Sequence, residues 1–120
     1  MIEIGAGTGI VGIVAATFGA HVRITDLSEF VSLMQMNIDA NKKLITGSAI
    51  AECLVWGKTE VTSTYDYVLL ADCIYYDEST KPLVDTIEKL CSKDTQVLCC
   101  YEHRTSPQKI DLQAKFFEVL

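Results

Sequence analysis

Three glycines at alternate positions, Gly5, Gly7 and Gly9, stand between a short apolar stretch, Ile2 to Ile4, and an apolar, alanine-containing run, Ile10 to Phe18. Glycine adopts positive φ without a side-chain clash, so a strand that ends in such a segment and runs into a helix brings its backbone close to a ligand and aims N–H groups at it. That restricts the chain to folds in which strands feed helices. Something flat and partly anionic should lie at the turn, outside the carboxyl ends of the strands.

The remaining residues supply the other βα units. His21 to Thr25 is a short strand ending at Asp26, and Ser28 to Lys43 repeats Val31, Met34 and Ile38 at helical spacing, with Ser28 as the cap and Lys42-Lys43 at the favourable end of the dipole. Ser48 to Leu54 alternates like a strand, and Tyr67 to Ala71 is the continuous apolar run of a strand covered on both faces. A helix over Pro82 to Cys91, a strand over Thr95 to Tyr101 and a helix from Ile110 to Leu120 follow. The alternation predicts an α/β fold: an open, mostly parallel, Rossmann-like sheet with helices on both faces, one domain over residues 1–120. The brief first strand and the apolar last helix make the domain read as partial, truncated at both ends.

Composition narrows the function classes. Ten basic and sixteen acidic side chains give a net charge of −6, and no cation cluster exceeds Lys42-Lys43, which argues against nucleic acid as a partner. The run from Gly9 to Ala20 is too short and glycine-rich for a membrane span, and the start of the chain lacks the basic residues of a targeting segment. Five cysteines without a C-x-x-C spacing fit reduced thiols in a cytoplasmic protein, with Cys99 and Cys100 as small buried hydrophobes. His21 and His103 are isolated, so no metal site is expected.

Two constellations carry chemistry. Asp26 lies about twenty residues beyond the glycines at the end of the second strand, where a carboxylate accepts hydrogen bonds from both ribose hydroxyls of an adenosine. Gly7 to Gly12 also satisfies G-x-G-x-x-G, so a nicotinamide dinucleotide is a rival ligand. Glu3 and Gly5 extend the pattern to E-x-G-x-G-x-G, and an acid at Glu3 suits the methionine ammonium of S-adenosyl-L-methionine, a cation that a dinucleotide lacks. Beyond the apolar strand, at the same edge, Asp72-Cys73-Ile74-Tyr75 offers a carboxylate and a phenol that could orient a lysine amine against a methyl group. Taken alone, D-x-x-Y fits an exposed Asp before a turn equally well.

The stretches GAGTGIVGIVAATFGA, TDL, MNIDANKKLITGS, VWG, YDYVLLADCIYY and CCYEHRT resemble the class I, seven-strand S-adenosylmethionine-dependent protein-lysine methyltransferases of the methyltransferase-like 21 family, over nearly all of the chain. The resemblance implies that Gly5, Ala6 and Gly7 line the methionine part of the cofactor, that Asp26 holds the ribose and that Trp56 packs beside the adenine. Ala71 would contribute backbone to the pocket, while Asp72 and Tyr75 face the substrate lysine. It further implies a protein substrate, a chaperone or AAA ATPase such as valosin-containing protein. Holding a free lysine neutral at pH 7 costs about 4.6 kcal/mol, and a carboxylate raises a lysine's pKa, so Asp72 is expected to position the amine rather than to remove its proton. Two other classes stay open: a catalytically inactive interaction domain on the same fold, and an oxidoreductase, for which no hydride-transfer partner is recognisable.

Overall fold

The computed structural model describes all 120 residues. The chain runs β1 (Ile2–Glu3), α1 (Ile10–Thr17), β2 (His21–Asp26), α2 (Ser28–Ala40), β3 (Ser48–Cys53), β4 (Tyr65–Ala71), α3 (Asp77–Leu90), β5 (Cys91–Cys100) and α4 (Pro107–Val119). All strands are parallel, in the order β3-β2-β1-β4-β5. The chain therefore winds outward through β2 and β3, then returns to place β4 on the other side of β1. The carboxyl end of β1 is thus a topological switch point, where neighbouring connections diverge and leave a crevice.

Alternation along the strands sorts residues between two cores. Ile2, Ile4, Val68 and Leu70 face α3 and α4, packing on Leu83, Val84, Ile87, Leu90, Leu112 and Phe116. Val22 and Ile24 face the opposite way, against Ile13 and Ala16 of α1 and Met34 and Ile38 of α2. Two-residue β1 holds the centre because its pairing continues past its ends: Arg23 N–H donates to Met1 O, and Ile4 N–H donates to Leu69 O, each at 3.0 Å. No helix is long and apolar enough to cross a membrane.

Several boundaries depart from the sequence reading. Helix α2 stops at Ala40, so Lys42 and Lys43 lie in the turn after it; Ser28 is its first residue and caps nothing, Leu27 being the N-cap with no side-chain bond. Helix α3 begins at Asp77, with Pro82 inside it, because Asp77 and Glu78 suit a first turn electrostatically and proline this early removes only one internal bond. Strand β4 begins at Tyr65, and β5 occupies Cys91–Cys100, with an irregularity opposite Tyr65 and Tyr67 where Thr95 Oγ1 donates to Tyr65 O at 2.5 Å. Cys100 is exposed because the face of β5 that it occupies has no helix over it, whereas Cys99 packs on the α3 and α4 side and is only partly buried.

Candidate active site

The glycine turn adopts the conformation its composition predicts. Gly5, Gly7 and Gly9 have φ of 63°, 58° and 84°, all left-handed, with Gly9 the N-cap of α1. Around Gly7 there is open space: a Cβ built there meets nothing within 4 Å. Asp26 ties this turn to the next unit, its Oδ2 accepting from Gly7 N–H at 2.7 Å and its Oδ1 from Leu27 N–H at 2.6 Å. Asn37 of α2 donates to Thr8 O at 2.9 Å and braces the turn from the other side.

Glu3 is placed differently from its expected position beside a cofactor ammonium. Ile2 and Ile4 point toward α3 and α4, so Glu3 points the other way, beneath α1, where it is 2% exposed and its Oε2 accepts from Gly12 N–H at 2.7 Å. Burial pushes its carboxyl up to about 7, with the Gly12 bond opposing and the charge of Asp26 adding to the rise. The site fits because residue 12 has no side chain: a Cβ there would stand 2.6 Å from Glu3 Oε2 and 2.7 Å from Ile24 Cγ1. Gly12→Ala gains about 1 kcal/mol of helix propensity but overpacks a closed site by about 3 kcal/mol, so a net loss of about 2 kcal/mol is expected in urea denaturation. An unchanged midpoint would mean that the Glu3 carboxylate yields without cost.

A cavity of about 320 Å³ opens at the switch point. Gly5, Asp26, Trp56, Tyr75 and Tyr76 are among the residues that line it. The Trp56 indole lies against the turn, so that a Cβ on Gly5 would come within 2.8 Å of both Trp56 Cζ2 and Cys73 Sγ. Gly57, at φ 72°, follows it and donates its N–H to Thr86 Oγ1 at 2.9 Å, fixing the Trp56 loop onto α3. Cys73 is buried under the turn, and burial pushes its thiol up to about 12, so it is not a nucleophile.

The D-x-x-Y segment leaves β4 at the same edge. Ala71 closes the strand opposite Cys100, and Asp72 takes φ 54° while its N–H donates to Cys100 O at 2.8 Å. Its half-exposed carboxylate meets Arg104, whose Nη2 is 3.0 Å from each oxygen. Tyr75 stacks edge-on against Tyr76 at 4.8 Å, and burial, with negative neighbours including Asp26 and Asp72, holds its phenol above the usual value.

The structure therefore brings Gly5, Asp26, Trp56 and Tyr75 onto one cavity. Ala6, Gly7 and Gly9 shape the turn, Ala71 and Asp72 lie beside the cavity without lining it, and Glu3 lies beneath. Sequence reasoning did not single out Tyr76, Glu78, Ser79 or Pro82, which line the cavity from the start of α3. The acidic pair Asp77-Glu78 ahead of Pro82 is the signal that could have extended that helix backward to the site.

Comparison with known proteins bears on the family and the fold of the chain. A family profile described as lysine methyltransferase matches residues 1–120. Protein N-lysine methyltransferase METTL21A of Xenopus tropicalis is 43% identical over 100 residues, covering 82% of this chain and 46% of that protein. EEF1A lysine methyltransferase 3 of the same organism is 34% identical over 123 residues, covering 98% of this chain and 54% of that protein. The chain thus spans about half the length of the curated relatives it matches. Among solved structures, the glycopeptide N-methyltransferase MtfA complexed with S-adenosyl-L-methionine superposes with a TM-score of 0.70 at 10% identity, over 82% of this chain and 45% of that one. Magnesium protoporphyrin IX methyltransferase of Synechocystis PCC 6803 gives 0.68 at 22% identity, over 97% and 52%. These two likenesses bear on the fold, an open parallel Rossmann-like sheet. With the profile matched from end to end and relatives above 30% identity, the chain belongs to the lysine methyltransferase family.

Proposed function

We propose that this domain binds S-adenosyl-L-methionine across the switch point and serves transfer of its methyl group to a lysine amine of a protein substrate. The observation that carries the reading is the meeting of two constellations at one edge: the left-handed glycine turn with Asp26, and the D-x-x-Y segment, which share through Gly5, Asp26 and Tyr75 a cavity large enough for part of a nucleoside. The open space at Gly7 supports the fit, since a ligand can approach the backbone there without meeting a side chain. In this reading Gly5, Ala6, Gly7 and Gly9 shape the methionine end, Asp26 holds the ribose, Trp56 packs beside the adenine and Ala71 contributes backbone. Glu3 supports the turn from below. The bound cofactor supplies a methyl group already activated by its sulfonium. What remains for the chain is alignment: Asp72 and Tyr75 receive the amine and orient it toward the methyl group.

The proposed substrate is valosin-containing protein, on the strength of the sequence stretches quoted above; the name of one relative makes EEF1A the second protein to assay. We place the enzyme in the cytoplasm, consistent with five unpaired cysteines.

Calorimetric titration tests the cofactor. The chain should bind S-adenosyl-L-methionine and its demethylated product more tightly than NAD, and Asp26→Ala should weaken that binding by about 1 to 3 kcal/mol, the cost of charged hydrogen bonds left unmade. Tighter binding of NAD would overturn the reading in favour of an oxidoreductase. Failure to bind any of the three would favour a non-catalytic interaction domain.

A further inference from the structure

The partner that Asp72 has acquired is not explained by the lysine-binding role alone. Arg104 lies in the loop between β5 and α4, its Nη2 at 3.0 Å from both Asp72 oxygens and 3.5 Å from Glu102 Oε2. The loop is anchored: Gln113 of α4, itself buried, donates to Glu102 O at 2.7 Å, and Tyr101 packs on Phe117 at 5.2 Å. Two features here work against stability. Asp72 is the one non-glycine residue with positive φ, and Arg104 Nε is buried without an acceptor. Strained backbone and orphaned donors that persist in a well-held segment concentrate at functional sites.

Resting on the reading that Asp72 and Tyr75 receive the substrate lysine, we propose that Arg104 is a positioning residue for methyl transfer: it fixes the Asp72 carboxylate and offsets its charge, so that the lysine is held as the neutral amine. An unpaired carboxylate beside the lysine would favour the ammonium form and raise its pKa by about 1 to 3 units, removing the lone pair that must attack. With a guanidinium on the same oxygens that pull largely cancels, while the carboxylate retains lone pairs to accept an amine N–H. The amine's lone pair then forms the new N–C bond as the S–C bond breaks, the bonding electrons stay on sulfur, and the proton lost before attack leaves to water.

The other charges near this point come from three directions. Asp26 stands across the cavity at the end of β2, and Glu102 lies beyond Arg104. Lys109 of α4 donates to Tyr75 O and sits 5.7 Å from the Tyr76 ring centroid. Tyr75 and Cys73 keep their protons and contribute no charge. Without Arg104, the cations left beside Tyr75 are Lys109 and Lys115, the latter already paired with Asp77 at 3.1 Å.

The test follows initial rates of transfer from S-adenosyl-L-methionine to recombinant valosin-containing protein for the unaltered chain, Arg104→Gln and Arg104→Lys, between about pH 6 and 10. Each protein is also titrated with the cofactor and, loaded with the demethylated product, with a short lysine peptide. Arg104→Gln should move the rising limb of the rate profile about one unit toward alkaline pH and bind the peptide more tightly at neutral pH, with cofactor affinity and melting temperature unchanged. Arg104→Lys, which keeps the charge, should return the limb toward its original place. Transfer with an unmoved limb overturns the inference, as does a parallel loss of cofactor affinity and stability, which marks a merely structural residue. Absence of transfer by the unaltered chain overturns the proposed activity instead; the peptide titration still discriminates, and equal peptide affinity for the unaltered chain and Arg104→Gln then overturns the role of Arg104 as well.

Discussion

Asp72→Asn is expected to lower the rate of methyl transfer by on the order of 100-fold, equivalent to about 2.7 kcal/mol of transition-state stabilisation, while cofactor affinity stays within error of the unaltered chain. The substitution is chosen for what it preserves. Asparagine matches aspartate in shape and tolerates the left-handed backbone, so the φ of 54° is kept and the N–H bond to Cys100 O survives. What goes is the charge that Arg104 grips at 3.0 Å and the second acceptor oxygen. Because that pair is partly exposed, with the Asp72 side chain 56% accessible, its loss should cost the fold no more than about 1 kcal/mol. Asp72 does not line the cavity, which is why binding and turnover should separate. Undiminished transfer, or a collapse of cofactor binding in step with transfer, would sink the assignment of Asp72 to the substrate side.

Local patterns predicted local structure well here, and long-range pairings poorly. The three glycines dictated a left-handed turn because few other residues adopt that backbone, and the β4 run from Val68 to Leu70 announced a covered strand because only apolar side chains suit burial on both faces. The start of α3 was hidden by chemistry that serves two purposes: Asp77, Glu78, Ser79 and Thr80 are as much at home in a loop as in a helix's first turn, and Pro82 looked like the first helical position when it is the sixth. Arg104 meets Asp72 across a separation of 32 residues, a contact set by how β5 lies along β4, which no spacing rule encodes. Glu3 is the instructive case. The alternation Ile2-Glu3-Ile4 already assigns it to the face opposite the two isoleucines, and Gly12, one turn into α1 from Gly9, already leaves room there. Sequence reading emphasised its charge and its closeness to the glycines, and so aimed it at a ligand.

That burial gives Glu3 a measurable signature. A carboxyl held at about 7 in the folded chain, against an ordinary 4.5, keeps its proton through a range in which the unfolded chain has already lost it. Between those values the folded state binds more protons, so this group's contribution to stability is full below about pH 4.5, falls as pH rises, and is gone above about pH 7. A rise of this size corresponds to roughly 3 kcal/mol. Glu3→Gln keeps an oxygen to accept from Gly12 N–H but cannot ionise, so the stability of the variant should lack this descending limb. The quantity to measure is the difference in unfolding free energy between the two proteins, from urea melts at several pH values from about 4 to 8.5. Titrating groups that do not interact with Glu3 are common to both and cancel in the subtraction. The difference should shift in favour of the glutamine variant by roughly 3 kcal/mol across that range, with most of the change between the two pKa values. A constant offset would mean that Glu3 ionises as freely in the folded chain as in the unfolded one. The bond to Gly12 would then have to hold its charge in place nearly as well as water does, and the closed pocket beneath α1 would carry no electrostatic cost.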